Sequence, residues 1–390
     1  MKITIGELGK IITGNTPSKK NEEFWNSDDI CFVKPDIIPE NGVNVIKETN
    51  EYLSETARKK ARVVTKNAIF VTCIGSIGKI GVASDGEFAF NQQINAIIPN
   101  ENINYKYLAY NLLFNKPRLL AIANAPVVPI INKSQFSEFT INIDTDINKQ
   151  GKVVDVLDRL TYTIGLRRKE LFALDELVKS RFVELFGDPI SNGMNWKRVP
   201  LSDCIASIDN GKSFVCDSAA RQGDWPAVLK LSAVTYGAYR PEENKAMQDD
   251  KQFVENAAVQ VGDLLFTRKN TPELVGMCAY VYDTPSKLMM PDLIFRLNTT
   301  KKCNKMFLWK LINHDLFREC IQAIATGSAK SMSNISKERL LNLKIILPPI
   351  EIQEQFAAFV KQVDKSKLAV QKSLDKLETL KKSLMQQYFG

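Results

Sequence analysis

The chain contains one sequence pattern twice. The segment Leu174–Gly187 recurs 203 residues later as Leu377–Gly390, and both copies end in the dipeptide Phe-Gly. Each copy closes a charged segment that follows a block rich in β-branched and aromatic residues. The two copies are separated by about half of the chain, so two similar halves are predicted. Each half is expected to fold as a strand-rich block followed by a long helix.

The segments 149–187 and 351–388 have the apolar spacing of coiled-coil helices. Apolar residues recur at alternating steps of four and three, and charged residues fill the other faces. At 1.5 Å per residue, such a helix is about 55–60 Å long. We predict that the two helices pair antiparallel and bury a common seam, since their shared register disfavours the alternative of two unrelated surface helices. The predicted seam consists of Val153, Leu157, Leu160, Ile164, Leu171, Leu174, Phe356, Val360, Val363, Val370, Leu374 and Leu377.

The blocks that precede the two helices also align with each other. Ile5–Gly14 corresponds to Leu201–Gly211, and Ile131–Ser134 corresponds to Ile335–Glu338. The predicted fold class is α+β, with two strand-rich domains in a pseudo-two-fold repeat, separated by two long antiparallel coiled-coil helices. The expected segments are a first domain at 1–145, a central helix at 146–188, a second domain at 189–348 and a C-terminal helix at 349–390.

Composition and charge exclude several classes of protein. A net charge of +8 and a pI near 8.9 give a mild bias toward polyanionic partners. The seven cysteines include no C-x-x-C pair, which disfavours a disulfide framework or a zinc site. Apolar runs are too short to cross a bilayer, and the first residues lack the apolar segment of a signal peptide. A cytoplasmic location without a membrane partner is expected.

No catalytic motif is found in the sequence. The one histidine, His314, lies in a segment predicted as a helix over 306–325, and a structural role is favoured for it. Gly211–Ser213 resembles the end of a phosphate-binding loop, but Ala206 stands where that loop requires glycine. No methyltransferase loop is found, and Asp292 has no second acidic residue at the spacing of a nuclease site. We predict a chain with no catalytic residue, no metal site and no cofactor of its own.

The layout resembles the DNA-specificity subunits of Type I restriction–modification systems. Ile11–Ser18 is similar to the turn that opens a target-recognition domain in that family. Gly75–Lys79 followed by Asn91–Gln93 resembles a second family pattern, and Ile345–Gln355 resembles the junction that leads into a conserved helix. The first junction, Ile143–Gln150, lacks the prolines of this pattern, and the second domain lacks its Thr-Pro-Ser turn.

The resemblance implies a function in DNA recognition. A member of this family binds a bipartite site on double-stranded DNA through two target-recognition domains, one half-site per domain. Two methyltransferase subunits dock on its helices and use S-adenosylmethionine to methylate adenine, and restriction/translocase subunits join them and use ATP. The chain itself is then non-catalytic. A rigid helical spacer suits such a reader better than a flexible linker does.

Candidate DNA contacts follow from the resemblance and from the chemistry of base and phosphate recognition. In the first domain they are Thr16, Ser18, Lys19, Lys20, Ser76, Lys79, Asn91, Gln92 and Gln93. Asparagine and glutamine suit adenine, although structural hydrogen bonding at the start of a strand is slightly favoured for Asn91–Gln93. In the second domain the candidates are Lys212, Ser213, Arg268, Lys269, Asn270, Lys330 and Ser331. The basic run Arg58–Arg62 is more typical of a solvated face.

Two alternative functions stay open at the level of the sequence. A free-standing DNA-binding regulator with the same fold would bind DNA but no methyltransferase subunit. An enzyme with an unrecognised site would transfer a group without any partner. Neither the base sequence of a target nor the methylated base follows from the residues.

Overall fold

The structure is a computed structural model that describes residues 1–123, 128–327 and 332–390. The chain divides into two compact units. Unit 1 comprises Met1–Arg168 together with Gln371–Gly390, and unit 2 comprises Lys169–Val370. No helix in the described part of the chain is long and apolar enough to span a membrane.

Unit 1 contains short strands and helices that alternate along the chain. The strands are β1 (Lys2–Thr4), β2 (Gly9–Thr13), β3 (Ile30–Val33), β4 (Val43–Ile46), β5 (Tyr52–Leu53), β6 (Val63–Thr65), β7 (Ile69–Thr72), β8 (Ile80–Ala83), β9 (Glu87–Phe90), β10 (Ile94–Pro99) and β11 (Thr140–Asn142). The α-helices are α1 (Ile5–Leu8), α2 (Tyr105–Phe114), α3 (Lys116–Ile122) and α4 (Lys133–Glu138), and Glu22–Phe24 and Glu55–Lys60 form 3-10 turns.

Two sheets form the framework of unit 1. One has the strand order β2-β10-β7-β8-β4 and is antiparallel except for the β8–β4 pair, and the other has the order β5-β3-β9-β6. Strands β7 and β8 are buried on both faces, and β9 and β10 are buried over most of their length, which explains their largely apolar sequence. Helix α2 packs against β4 and β8 and buries Tyr107 and Leu108 in the core.

Unit 2 has a similar element order between residues 197 and 347. Its strands are β12 (Lys197–Pro200), β13 (Ile205–Asn210), β14 (Ala227–Leu229), β15 (Asn244–Ala246), β16 (Leu264–Thr267), β17 (Lys269–Asn270), β18 (Cys278–Tyr280), β19 (Leu288–Met289), β20 (Ile294–Thr299), β21 (Ser333–Asn334) and β22 (Lys344–Leu347). The α-helices are α6 (Lys305–Ile312), α7 (Arg318–Ala323) and α8 (Lys337–Leu341). The 3-10 turns are Leu201–Asp203, Leu231–Ala233, Asp250–Gln252, Glu255–Ala257 and Asp315–Phe317.

The sheets of unit 2 share most of their connectivity with those of unit 1, but within the described residues they have no counterpart of β4 or β6, and the β17–β21 pair is additional. The order β13-β20-β16-β18 repeats β2-β10-β7-β8, and the order β15-β14-β19 repeats β5-β3-β9 with one antiparallel and one parallel pair. Terminal strand pairs are also equivalent, since β1 pairs with β11 and β12 pairs with β22. The predicted α+β fold class with a repeated domain is confirmed.

Two long helices each contribute a segment to both units. Helix α5 runs over Ile147–Phe186 and helix α9 over Ile350–Phe389, 40 residues each, which corresponds to about 60 Å. In unit 1 the beginning of α5 packs with the end of α9, and Arg168 forms an ion pair of 2.6 Å with Glu378. In unit 2 the end of α5 packs with the beginning of α9. The two segments are therefore antiparallel within each unit.

The seam residues proposed from the sequence differ in burial. Leu157, Phe356 and Val360 are fully buried, and the next group is nearly so: Leu160, Ile164, Val363, Val370 and Leu374. The remaining four are half-buried: Val153, Leu171, Leu174 and Leu377. Large aromatic residues outside the proposed seam, Phe182, Phe186 and Phe389, are at most 2% exposed. The heptad pattern misses them because they face the strand-rich blocks rather than only the other helix.

Aromatic side chains anchor the end of each long helix in its unit. The Phe186 ring lies 4.8 Å from the Phe307 ring of α6 and 5.3 Å from the Phe356 ring of α9. In unit 1 the Phe389 ring lies 5.2 Å from the Tyr107 ring of α2. The Phe-Gly pair that closes both sequence repeats thus occupies equivalent places, with the phenylalanine in the core.

A buried glutamine fixes the start of each long helix. Gln150 Oε1 accepts a hydrogen bond of 2.8 Å from the backbone N–H of Asn104, and Gln150 Nε2 donates to the Asp144 carbonyl at 2.7 Å. Gln353 Oε1 accepts from the Asn304 N–H at 2.8 Å, and Gln353 Nε2 donates to the Pro348 carbonyl at 2.8 Å. Asn104 and Asn304 cap α2 and α6, so each glutamine ties a long helix to a short one.

Replacing Gln353 by methionine is expected to lower the free energy of unfolding by about 2–4 kcal/mol. Methionine has a similar volume but leaves a buried N–H and a buried carbonyl without partners. Gln355→Met, at an exposed position of the same helix, is the matched control and is expected to change stability by less than about 0.5 kcal/mol. Urea denaturation of both variants measures the difference, and equal stabilities would contradict this role.

The helix predicted over 306–325 is interrupted. Helix α6 ends at Ile312 and α7 begins at Arg318, with His314 between them. Asn313 ends α6 because its side chain bonds to strand β18, where its Oδ1 accepts from the Cys278 N–H at 2.9 Å and its Nδ2 donates to the Cys278 carbonyl at 2.7 Å. His314 lies against the Phe182 ring, and burial lowers the pKa of its imidazole.

Candidate nucleic-acid interface

Loops at one end of the unit 1 sheets bring Thr16 and Gln92 together. Strand β2 is followed by Gly14, whose N–H donates to the Ile94 carbonyl at 3.0 Å. A Cβ atom on Gly14 would lie 2.1 Å from the Asn91 carbonyl oxygen, so only glycine permits this close approach. The exposed Thr16 hydroxyl then donates to Gln92 Oε1 at 2.8 Å.

The turn at Asn91–Gln93 is held by its own side chains. Asn91 is nearly buried, its Oδ1 accepts from the Gln93 N–H at 3.1 Å, and its Nδ2 donates to Gln93 Oε1 at 2.8 Å. Asn91 and Gln93 therefore form hydrogen bonds within the turn. This is the structural role that the sequence offered as the alternative to DNA contact. Gln92 is the exposed side chain of the three.

The glycine turn that follows β7 has a fixed backbone. Gly75 and Gly78 adopt φ of 74° and 75°, in the left-handed region that favours glycine. The Thr72 hydroxyl donates to the Ser76 carbonyl and accepts from the Lys79 N–H at 3.0 Å. The Ser76 side chain is exposed, while Lys79 is half-buried and bonds to the Pro35 carbonyl and to Glu40 at 3.4 Å. Lys116 beside Glu40 lowers the pKa of that carboxyl, and Lys79 adds to the effect.

A lysine pair surrounds Glu51 near the opening loop of unit 1. Lys34 forms an ion pair with Glu51, and Lys19 forms another at 2.9 Å while lying over the Trp25 ring. Hydrogen bonds from Lys34 and then Lys19 lower the pKa of the Glu51 carboxyl. Lys20 and Ser18 are exposed on the same loop. Two glutamates follow the two loop lysines closely, so the segment 14–24 carries no net charge.

Unit 2 builds the equivalent position with different side chains. A Cβ atom on Gly211 would lie 2.2 Å from the Pro291 carbonyl oxygen, and the Lys212 N–H donates to the Met290 carbonyl at 2.9 Å. The Ser213 hydroxyl donates to Asp292 Oδ1, and the Asp292 N–H donates back to the Ser213 hydroxyl at 3.2 Å. The Lys212 ammonium lies 5.0 Å from the centre of the Phe214 ring.

The basic segment of unit 2 forms a strand rather than a free loop. Lys269 and Asn270 make up β17, which pairs with β21, and both are half-buried. The Arg268 guanidinium bonds to Asn334 Oδ1 at 3.3 Å and lies over the Phe295 ring, and Asn270 Nδ2 donates to Thr235 Oγ1 at 3.0 Å. Two other candidates, Lys330 and Ser331, lie outside the described residues.

The densest basic run of the sequence is partly neutralised. Arg58 lies in a 3-10 turn and bonds to Glu55 and to both carboxylate oxygens of Glu87. Arg62 donates to the Thr13 carbonyl, while Lys59 and Lys60 have exposed side chains. This distribution fits the solvated face favoured from the sequence, with two exposed lysines beside the strand that leads to Gly14.

Each unit therefore presents loops suited to contact DNA, around Thr16 and Gln92 in unit 1 and around Ser213 and Asp292 in unit 2. We call each of these regions a loop end. Hydroxyl, amide and carboxylate groups lie beside exposed lysines on a rigid sheet framework, which is the combination needed for base and phosphate contacts. Among the described residues, no group of three His, Cys, Asp or Glu side chains is arranged to hold a metal ion. Sequence reasoning missed Lys34 and Asp292 as members of these loop ends. Aligning Asn91–Gln93 with Pro291–Leu293 through the flanking strands is the signal that identifies Asp292.

Comparison with known proteins gives a consistent result. The family model for the Type I restriction modification DNA specificity domain matches residues 1–175 and 194–381. The chain is 32% identical over 168 residues to the Type I restriction enzyme EcoEI specificity subunit of Escherichia coli, a match that covers 42% of the chain and 28% of the relative. It is 30% identical over 179 residues to the EcoR124I/EcoR124II specificity subunit of Escherichia coli, with 43% of each chain covered. The chain thus spans less than half the length of these relatives.

A solved structure has a similar fold over the whole chain. The Type-I restriction-modification system S subunit from M. genitalium superposes with a TM-score of 0.62 at 14% sequence identity, and the match covers 100% of this chain and 96% of that one. At this identity the similarity concerns the fold alone.

Proposed function

Because the chain belongs to the Type I restriction–modification DNA specificity family, we propose that it selects a bipartite site on double-stranded DNA, one half-site per unit. The loop end around Thr16 and Gln92 serves as the contact region of unit 1. The loop end around Ser213 and Asp292 serves as that of unit 2. The DNA contacts predicted from the sequence remain the candidates, with Asn91 and Gln93 in a positioning role.

One observation supports this proposal most strongly. The backbone hydrogen bond of 2.9 Å made by the residue after Gly14 recurs at the residue after Gly211, whereas the side chains held beside it differ. A conserved frame with exchangeable side chains is what a protein needs when two modules must read different bases. A protein that binds DNA without sequence preference needs only the lysines.

The proposal assigns the chemistry to other subunits. Two methyltransferase subunits dock on α5 and α9 and use S-adenosylmethionine, and restriction/translocase subunits use ATP. Exposed apolar side chains on these helices, such as Tyr162, Phe172 and Leu368, provide surface for docking. The chain contributes sequence selection and is non-catalytic.

Binding of the full chain to DNA with and without its methyltransferase subunit tests the proposal. We expect a stable complex with two methyltransferase copies, and methylation at a bipartite sequence only in that complex. Methyl transfer from S-adenosylmethionine by the chain alone would favour the enzyme alternative. Sequence-specific binding without any association with the methyltransferase would favour a free-standing regulator.

A further inference from the structure

We propose that Gln92 and Asp292 are equivalent base-reading residues that give the two units different preferences. Gln92 is assigned to adenine, and Asp292 to a base with an exocyclic amine in the major groove, cytosine before adenine. This inference rests on the proposed function and extends it to individual residues.

The equivalence of the two positions follows from the backbone. The Asn15 N–H donates to the Phe90 carbonyl at 2.9 Å, and the Lys212 N–H donates to the Met290 carbonyl at 2.9 Å. In both units the residue that directly follows this donor carries a hydroxyl, which bonds to the side chain two residues beyond that carbonyl. These pairs are Thr16 with Gln92 and Ser213 with Asp292. Each pair closes over a glycine that cannot be replaced without displacing a carbonyl.

The Thr16 hydroxyl determines which way the Gln92 amide points. A hydroxyl has one proton, and Thr16 donates it to Gln92 Oε1, so the amide Nε2 is left as a donor at the exposed end. Oε1 retains a second lone pair. A side chain with one donor and one acceptor matches the N7 and N6 groups of adenine in the major groove.

The Ser213 hydroxyl fixes Asp292 in the same way but with opposite chemistry. Its proton goes to Asp292 Oδ1, and the Asp292 N–H bonds back to its oxygen, so Oδ2 is left as an acceptor. A carboxylate accepts from the N4 amine of cytosine and has no proton to offer to guanine O6 or N7. Guanine is therefore disfavoured at this position of the half-site that unit 2 reads.

The electrostatic setting supports a base partner for Asp292 rather than a phosphate. A carboxylate that faces the DNA backbone is repelled, and this cost is offset where it meets a base amine. Lys212 lies one residue from Ser213 and is exposed, so it is placed to contact the backbone beside the carboxylate. Gln92 thus offers a neutral amide with a donor, and Asp292 offers a charged acceptor. Both side chains are held by the same backbone arrangement, close to lysines.

Two isosteric substitutions exchange the chemistry of these positions. Asp292→Asn keeps the acceptor for Ser213 and converts the outward acceptor into a donor. Gln92→Glu makes the reverse change in unit 1. Asp283→Asn, at an exposed aspartate of unit 2 outside the loop end, is the matched control. The full chain with its methyltransferase subunit is used to select duplexes from a randomised pool, and the selected sequences are counted.

We expect Asp292→Asn to lower the preference for cytosine over the other bases at least fivefold at one position of one half-site. Gln92→Glu is expected to lower the preference for adenine to a similar extent in the other half-site. Asp283→Asn is expected to leave both unchanged. An unaltered preference in both loop-end variants, with wild-type selectivity intact, overturns this inference alone. Absence of any bipartite preference in the wild type overturns the proposed function instead.

A further variant covers the case in which Asp292→Asn does not fold. Ser213→Ala removes the group that orients the carboxylate but retains the carboxylate itself. It is expected to broaden the base preference at the same position without introducing a new one. Unchanged selectivity in Ser213→Ala would contradict a positioning role for Ser213 and, with it, the assigned orientation of Asp292.

Discussion

Phe356→Ala is expected to lower the free energy of unfolding by about 3–5 kcal/mol, the usual cost of removing a fully buried phenylalanine. The Phe356 side chain is completely buried at the start of α9. Its ring lies 5.6 Å from that of Phe182 and 5.3 Å from that of Phe186, so its removal leaves a cavity where both long helices meet the core of unit 2. Urea denaturation followed by circular dichroism measures the loss.

Leu368→Ala provides the matched control for this prediction. Leu368 lies on the same helix within unit 2 but is 57% exposed. Its truncation is expected to change stability by less than about 0.5 kcal/mol. If both variants were equally stable, the packing of α9 against α5 in unit 2 would not contribute as described. Amide hydrogen exchange in α6 adds a local readout, because Phe307 of that helix belongs to the same aromatic cluster.

Exchange of residues 1–145 for those of a relative is expected to replace one half-site of the DNA target and to leave the other unchanged. The original bipartite site should then be bound at least about 100-fold more weakly, because several mismatched base pairs at about 1–3 kcal/mol each add up. The reciprocal exchange of 189–348 is expected to alter only the other half-site. Selection from a randomised duplex pool measures both results.

The design of this exchange follows from contacts within unit 1. The donor segment must supply a residue that packs on Phe389 as Tyr107 does, and a backbone N–H for Gln150 at the position of Asn104. A chimaera that meets both conditions and folds, yet changes both half-sites, would contradict one half-site per unit. A chimaera that changes neither would place recognition outside the exchanged residues.

The architecture could be predicted because the repeat and the heptad patterns extend over long stretches of the sequence. Equal registers at Leu157 and Val360 indicated equivalent helices, and both residues are fully buried. The interruption at Asn313 was not predictable, since it depends on a bond to Cys278 from a distant strand. Helical periodicity on either side masks such a tertiary effect.

The candidate site was only partly predictable for a similar reason. Basic and amide residues near Gly14 and Gly211 were identified by their type, but their partners lie about 80 residues away in each case. Residue type therefore could not distinguish Asn91, whose side chain forms hydrogen bonds within the turn, from Gln92, whose side chain is exposed. Asp292 was considered only as a possible nuclease acid, because a carboxylate in a basic protein does not by itself indicate DNA contact.

The composition of unit 1 from two distant stretches has a consequence for biosynthesis. Unit 2 is a continuous segment, whereas unit 1 requires Gln371–Gly390 to complete its core. Roughly 200 residues separate the two stretches, which a ribosome adds in roughly 10–40 s at typical speeds. During this interval the apolar surface around Tyr107 lacks Phe389, so part of the core of unit 1 stays exposed until Gln371–Gly390 has been synthesised.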